Sequence, residues 1–447
     1  MLKECDVLIV GAATTGIYFG WLMAKKGHSV LVIDKEEREQ VGQRLEVIHL
    51  DKETFKELNV PPPTEEPELI GSWRGIWVSR LPLFFQRMYK ILESDGVQFE
   101  FSCNFKELMF ENERIVGVKV EKEGAVNEIS ARLVVDASGV ACAVRSTLPE
   151  NYGVETWTYD STNRFFVILH YIKWLKPDEP HQVSGDSWPY YFIFFDPGYM
   201  GEKLENIIMG IIGPESFKKT ETIMEEFLGS GIIAPFELIK KEFCSFPLTL
   251  PPYSLVADGF FCAGDSAATM NPIAARGIPE TWHLCKNTED IIDAALKSGE
   301  YLSRERLWEV NVKHFRGEGA ELASVYMLSS FLHVFKEKEL NFLFQKLLPI
   351  INPPDAEEEA TEIKLSAGKI LKVIGKVLGG IFTGKLSIRR IFKVIKISRH
   401  AGNLKKHYKT YPENPDDMDE WIERTEEIIK LRKVQPRVFK TTSATYP

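Results

Sequence analysis

The stretch from Asp6 to Asp34 constrains the fold more than any other part of the chain. Asp6-Val-Leu-Ile-Val10 is a short, continuous apolar run, the pattern of a parallel strand buried on both faces. Gly11-Ala-Ala-Thr-Thr-Gly16 follows at once, and Ile17 to Lys26 reads as a helix that stops at Gly27. A second apolar strand, Ser29 to Ile33, ends at Asp34. A strand, a glycine turn, a helix and a second strand ending in an acid form the context that gives a glycine pattern its meaning. Gly11 permits the tight turn, and Gly16 lets the helix approach the strand. The helix N-terminus offers free N–H groups and a positive dipole end to a pyrophosphate. Ala12, Ala13 and Thr15 complete the turn. Asp34, with Lys35 beside it, stands where a ribose hydroxyl would be bound. The middle glycine of GxGxxG is Ala13 here. A second fit, Gly229 to Ala234, follows a helical pattern and reads as a helix end. One dinucleotide fold is therefore expected.

Two later segments carry the same kind of signal. Arg114 to Val120 and Glu128 to Val135 read as strands joined by a turn at Glu123-Gly124. The second leads into Asp136-Ala137-Ser138-Gly139, with Arg145 beyond. Gly259 to Asp265 is a strand ending in Gly264-Asp265. It continues through Pro272 to a turn at Gly277-Ile278, and a helix is expected from Pro279. The three segments together resemble the glutathione-reductase-type FAD fold of the geranylgeranyl reductase and para-hydroxybenzoate hydroxylase-like superfamily. The likeness covers residues 1–50 and 95–300. It implies an α/β protein in which an FAD-binding Rossmann domain is interleaved with an antiparallel-sheet substrate domain, plus a helical C-terminal region. It also implies FAD as cofactor. Asp265 would bind ribityl hydroxyls, and the helix after Gly277 would point its N–H groups at the flavin edge. Arg44, Arg80 and Phe105 match family positions near the pyrophosphate, the FAD and the adenine. Ala137 and Gly139 match a further cofactor contact.

The resemblance predicts an FAD domain from 1–75, 95–155 and 256–330. The substrate domain would take 76–94 and 156–255, and the helical region 331–447. Aromatic runs between 155 and 255 suit a sheet lining an apolar pocket. Tyr191, Phe192 and Phe194 occupy the place of a Tyr-x-Trp-x-Phe-Pro pocket motif, with Phe for Trp. The implied activity is flavin-dependent reduction of a carbon–carbon double bond in an isoprenoid or lipid-like substrate. Hydroxylation or epoxidation by a flavin monooxygenase is the second reading, and an electron-transfer partner without a small substrate is the third. Hydroxylases of this superfamily usually have Asp-Gly where this chain has Asp136-Ala137, which favours the first. The electron donor is open between NAD(P)H and a ferredoxin-like protein. No catalytic acid or base is assigned: His49, His170 and His283 are each lone histidines.

The 447 residues carry a net charge of −9, which argues against nucleic acid as a partner. Six scattered cysteines include no CxxC pair, so neither a disulfide framework nor a metal site is expected. No signal peptide or apolar run long enough to span a membrane is evident, and a cytoplasmic protein is expected. Residues 364–397 alternate apolar positions at helical spacing with lysines. They read either as helices packed on the body or as a peripheral membrane contact.

Overall fold

The structure, a computed structural model, describes residues 4–43, 45–64, 66–73, 75–175, 192–196, 206–213, 215–229, 235–273, 276–329, short stretches between 334 and 350, and 367–430. An eight-stranded sheet forms its centre. Strands β1 (Glu4–Val10) and β2 (Val30–Ile33) pair in parallel, and α1 (Thr14–Lys25) crosses between them. Val7 to Val10 and all of β2 are buried, as strands covered on both faces must be. Gly27, at φ +91°, ends the helix by donating its N–H to Ala24, the usual glycine stop.

The parallel array continues with β6 (Gln98–Glu100) beside β2, β9 (Ala125–Asp136) beside β1, and β15 (Phe260–Cys262) beside β9. A two-residue strand, β14 (Val256–Ala257), pairs antiparallel at the edge. Strands β7 (Cys103–Glu111) and β8 (Arg114–Lys122) run antiparallel and join β9. The β8–β9 hairpin turns at Glu123 and Gly124, whose φ angles are +53° and +75°. That two-residue turn matches strand twist, so pairing runs to the very ends of both strands.

Two smaller sheets sit against each other. Strands β3 (Val47–Asp51), β5 (Ile76–Arg80) and β4 (Leu69–Trp73) form one. The other is antiparallel in the order β11 (Phe192–Asp196), β12 (Asn206–Gly213), β10 (Arg164–Trp174) and β13 (Phe236–Pro247). One face of the second sheet is covered by α4 (Phe217–Gly229), with Phe217 against Phe166 and Phe243. On the other face Val167, Leu169 and Tyr171 pack on Val47 and Val78 of the three-stranded sheet. Period-2 alternation thus gives β10 and β13 one helix-covered and one inward face.

After β3 comes the short α2 (Lys52–Glu57), and after β5 comes α3 (Leu81–Ser94). Phe84, Phe85, Met88, Tyr89 and Leu92 of α3 are buried in the core of the central sheet. Residues 81–94 therefore pack with the nucleotide fold, although their position in the chain grouped them with the substrate domain. An i, i+3/i+4 stripe makes α3 amphipathic, but the stripe does not name the surface it covers. Helix α5 (Ile278–Lys297) packs on α1, followed by α6 (Arg304–Arg316) and α7 (Glu318–Ser329). The C-terminal region adds α8 (Ala367–Phe382), α9 (Ile388–Tyr408) and α10 (Met418–Lys430). Ala401, Leu404 and Tyr408 join the central core, so the second half of α9 is part of the body. Among the described residues, no helix is long and apolar enough to cross a membrane.

Candidate active site

The three sequence motifs meet at one edge. Strands β15, β9, β1 and β2 are consecutive in the sheet, and all four point their C-terminal ends the same way. Ligands of open parallel sheets lie outside that edge. Gly11 leaves β1 at φ +116°, and a Cβ there would lie 2.3 Å from the Ala137 carbonyl oxygen. A Cβ on Gly16 would lie 1.8 Å from the Gly11 carbonyl oxygen, and one on Gly264 would lie 2.3 Å from Thr15 Oγ1. Only glycines allow the exits of β1, β9 and β15 to come this close.

The turn is held from behind. Ala12 N–H donates to Asp34 Oδ2 at 2.8 Å, and Asp34 Oδ1 accepts from Glu36 N–H at 2.9 Å. A carboxylate has about four acceptor sites, so Asp34 keeps capacity for ligand hydroxyls. Tyr89 Oη donates to the Ala12 carbonyl at 2.9 Å. Ala13, half-buried, is the N-cap of α1 and gives no side-chain cap. The N–H groups of the first turn are thus left for a ligand. Lys35 is exposed beside Glu36.

Behind the exit of β9 lies a structural knot. Asp136 is fully buried. It accepts from Ser138 N–H, Ser138 Oγ, Val144 N–H and Arg145 N–H at 2.6–3.1 Å. Arg145 is buried as well. It donates to the carbonyls of Ser266 (2.8 Å) and Glu155 (2.5 Å), and its guanidinium lies 4.2 Å from the Trp157 ring centre. Asp136 and Arg145 therefore tie the second motif to the third. Ala137 N–H bonds Val10 O, while Gly139, at φ +67°, faces open space.

Asp265 differs from Asp136. Its carboxylate accepts no hydrogen bond among the described residues, and burial lifts its pKa to about 6. Its own carbonyl accepts from Tyr159 Oη at 2.5 Å. Reciprocal backbone bonds between Asn271 and Arg276 close the loop that contains the buried Pro272. That loop delivers Gly277, the uncapped N-terminus of α5, to within 3.8 Å of Asp265 Oδ1, measured from where a Cβ would stand. Ile278, partly buried, packs on the core from the first turn of α5. A ligand with an anionic centre and several hydroxyls fits this set: two helix N-termini without caps, Asp34 with spare acceptors, and an unpartnered carboxylate.

The other expected contacts divide. Arg80 is the N-cap of α3 and pairs with Glu46. Phe105 follows β6 and lies inside β7, where it pairs with Val120 and packs on the core. Arg44 and Tyr191 lie outside the described residues. By register, Phe192 and Phe194 align through Ile212 and Gly210 with Val167 and Leu169. Val167 and Leu169 have the pleat position of the face turned toward the three-stranded sheet. His170 has the opposite pleat position, alongside Phe166 and Ile168. His283 lies 3.5 Å from Glu57, and His49 is exposed on β3.

Sequence reasoning missed a polar network bordering this inward face. Glu242 is buried on β13 and accepts from Tyr171 Oη (2.5 Å), Lys240 Nζ (2.8 Å) and Glu46 N–H (2.9 Å). Lys240 also pairs with Glu46. Burial opposes the Lys240 charge, but its bonds to Glu242 and Glu46 outweigh this and leave its pKa raised. Cys244, the next inward residue on β13, has its thiol pushed up to about 12, chiefly by burial. The six cysteines are free thiols. Among the described residues no cluster of His, Cys, Asp and Glu could hold a metal.

No family model matches the chain. Digeranylgeranylglycerophospholipid reductase of Sulfolobus acidocaldarius is 23% identical to it, over 95% of this chain and 97% of that protein. Digeranylgeranylglycerophospholipid reductase 2 of Methanopyrus kandleri is 24% identical over 62% of this chain and 73% of its own length. A geranylgeranyl bacteriochlorophyll reductase-like protein from Thermoplasma acidophilum superposes with a TM-score of 0.63 at 14% identity, over 84% of this chain and 96% of that one. These likenesses support the geranylgeranyl reductase-like superfamily of FAD-dependent oxidoreductases. The fold is shared more widely: the flavin-dependent brominase Bmp2 superposes with a TM-score of 0.56 at 15% identity, over 83% of this chain and 94% of that one. The uncapped helix N-termini and carboxylates gathered at the ends of β1, β2, β9 and β15 are groups of the kind a flavin dinucleotide requires.

Proposed function

We propose that this flavoprotein reduces carbon–carbon double bonds of an isoprenoid chain carried by a lipid-like substrate. The observation that carries the reading is the convergence of Gly11, Gly264 and the unpartnered Asp265 at one sheet edge, next to an apolar face from a separate sheet. The relatives' name, a reductase of digeranylgeranyl glycerophospholipids, supports the substrate class. Bound FAD supplies the hydride. The chain's own residues bind, orient and exclude water. The turn Gly11-Ala12-Ala13-Thr14-Thr15-Gly16 and the open start of α1 would hold the pyrophosphate. Asp34 would accept from the adenosine ribose, and Asp265 from ribityl hydroxyls. The N–H groups that begin α5 would face the flavin edge and stabilise negative charge there. Leu169, Val167, Val47 and Val78 pack on one another as an apolar core that keeps water out between the two smaller sheets.

The test is anaerobic turnover. Full-length holoenzyme is reduced with dithionite and mixed, without oxygen, with a digeranylgeranyl glycerophospholipid. Flavin reoxidation with gain of two hydrogens per double bond is expected. Reoxidation only after air is admitted, with an oxygen atom in the product, would overturn the reading in favour of a monooxygenase.

A further inference from the structure

The charge of this chain is unevenly distributed. Between Glu362 and Glu413 lie thirteen of its 55 Lys and Arg and none of its 64 Asp and Glu, so the rest of the chain carries a net charge of −22. That segment forms α8 and α9. Leu371, Ile374, Leu378 and Phe382 follow one another at spacings of three and four residues and make one stripe along α8. Ile388, Phe392 and Ile395 continue it along the first half of α9. Such a stripe normally faces a core. Here all seven residues are exposed, Phe382 to 93% and Leu371 to 69%.

The stripe is not a loose end. The turn between the helices buries Leu386, and Glu339 fixes it by accepting from Ser387 N–H (2.8 Å) and Arg390 (2.5 Å). Ala401, Leu404 and Tyr408 anchor the second half of α9 in the core. The body therefore holds the first half of α9 in place while leaving its stripe bare.

Lys372 and Lys376 lie beside the stripe on α8, and Arg389, Lys393, Lys396 and Arg399 on α9. None pairs with an acid among the described residues, and neither helix contains one. Lys372–Lys376 and Arg389–Lys393 are like-charge i, i+4 pairs, which weaken a helix in water. A partner that is apolar within and negative at its surface removes both costs. A second copy of this chain would bring two basic rims together.

We infer that α8 and the first half of α9 form a docking surface for an anionic lipid bilayer, with the stripe entering the headgroup–acyl boundary and the lysines meeting lipid phosphates. This goes beyond the reductase reading and is tested without its substrate. Full-length holoenzyme is floated with phosphatidylcholine vesicles, with and without phosphatidylglycerol, at low and high salt. Flotation with the anionic vesicles, weakened by salt, is expected. Leu378→Glu/Phe382→Glu should cut binding by about tenfold or more, and Val126→Glu, at an exposed hairpin tip, should float as wild type. All three proteins should keep their flavin absorbance, since the substituted side chains touch no core. Absence of flotation, or equal flotation of the double variant, would overturn the inference. So would a wild-type dimer that the double variant abolishes, which would assign the stripe to a second copy.

Discussion

Gly16→Ala sets two effects of opposite sign against each other. Gly16 lies inside α1, where alanine normally stabilises a helix by about 1 kcal/mol. Here the new Cβ would stand 1.8 Å from the Gly11 carbonyl oxygen, about 1.2 Å short of the 3.0 Å that real Cβ contacts require. The obstacle is backbone, so no rotamer relieves it, and strand exit and helix must separate. Overpacking of this kind costs about 1–3 kcal/mol. A backbone obstacle belongs at the upper end, so a net loss of about 2 kcal/mol in the apoprotein is expected. The same displacement moves the first-turn N–H groups of α1 away from a bound pyrophosphate. Each hydrogen bond to a charged group is worth about 1.5–3 kcal/mol, so FAD affinity should fall by about tenfold or more. Urea denaturation of the apoprotein gives the first quantity and fluorescence titration with FAD the second. Gly229→Ala, at the end of α4 with open space around it, is the control and should neither lower stability nor change FAD affinity. A Gly16→Ala protein that is more stable than wild type and binds FAD equally well would refute the reasoning.

Three further outcomes are expected. The Asp265 pKa is raised to about 6, so the folded apoprotein holds that proton more tightly than the unfolded chain; this group's contribution to stability declines as pH rises from about 4 to about 6. FAD affinity should run the other way, rising through about pH 6 as the acceptor ionises, and Asp265→Asn should flatten that rise in a pH series of titrations; parallel profiles would contradict the assignment. Burial lowers His314 to a pKa of about 4 against about 6.5 when unfolded. Its contribution is present above pH 6.5 and is lost as pH falls toward 4, by up to about 3 kcal/mol; denaturation midpoints of His314→Leu should depend less on pH than wild type, and an unchanged dependence would count against it. Arg145→Met removes the guanidinium donors to the carbonyls of Ser266 and Glu155 in a buried site, and a loss of about 2–5 kcal/mol in urea denaturation is expected; a stability equal to wild type would show that the knot is dispensable.

The nucleotide unit was legible because its parts are neighbours in sequence. Strand, turn, helix and acid all fall within Asp6–Asp34, and period and glycine position report them directly. Long-range partners are different. Tyr89 reaches Ala12 across 77 residues, and Glu46 meets Glu242 across 196. Nothing local marks Glu242 as the buried centre of a network, because a strand acid directly after two lysines reads as a solvated face. Asp136 looked like part of a cofactor motif, yet its carboxylate is consumed by the backbone of Ser138, Val144 and Arg145. Asp265, with the same strand-end position, is the carboxylate left unpartnered. The aromatic runs announced a sheet, but only register separates the inward positions of Val167 and Leu169 from His170 on the helix-covered side. For α8 and α9, sequence showed the stripe and the lysines; whether the stripe was covered depended on where the body ends.

The central claim is that one edge of one sheet holds both halves of a dinucleotide: the adenosine half through Asp34 and the Gly11–Gly16 turn, and the flavin half through Asp265 and the start of α5. Calorimetric titration of the apoprotein with FAD and, separately, with FMN tests it most directly. FMN lacks everything that Asp34 would bind. One FAD per chain, bound far more tightly than FMN, is expected. Equal binding of the two, or none of either, would contradict it.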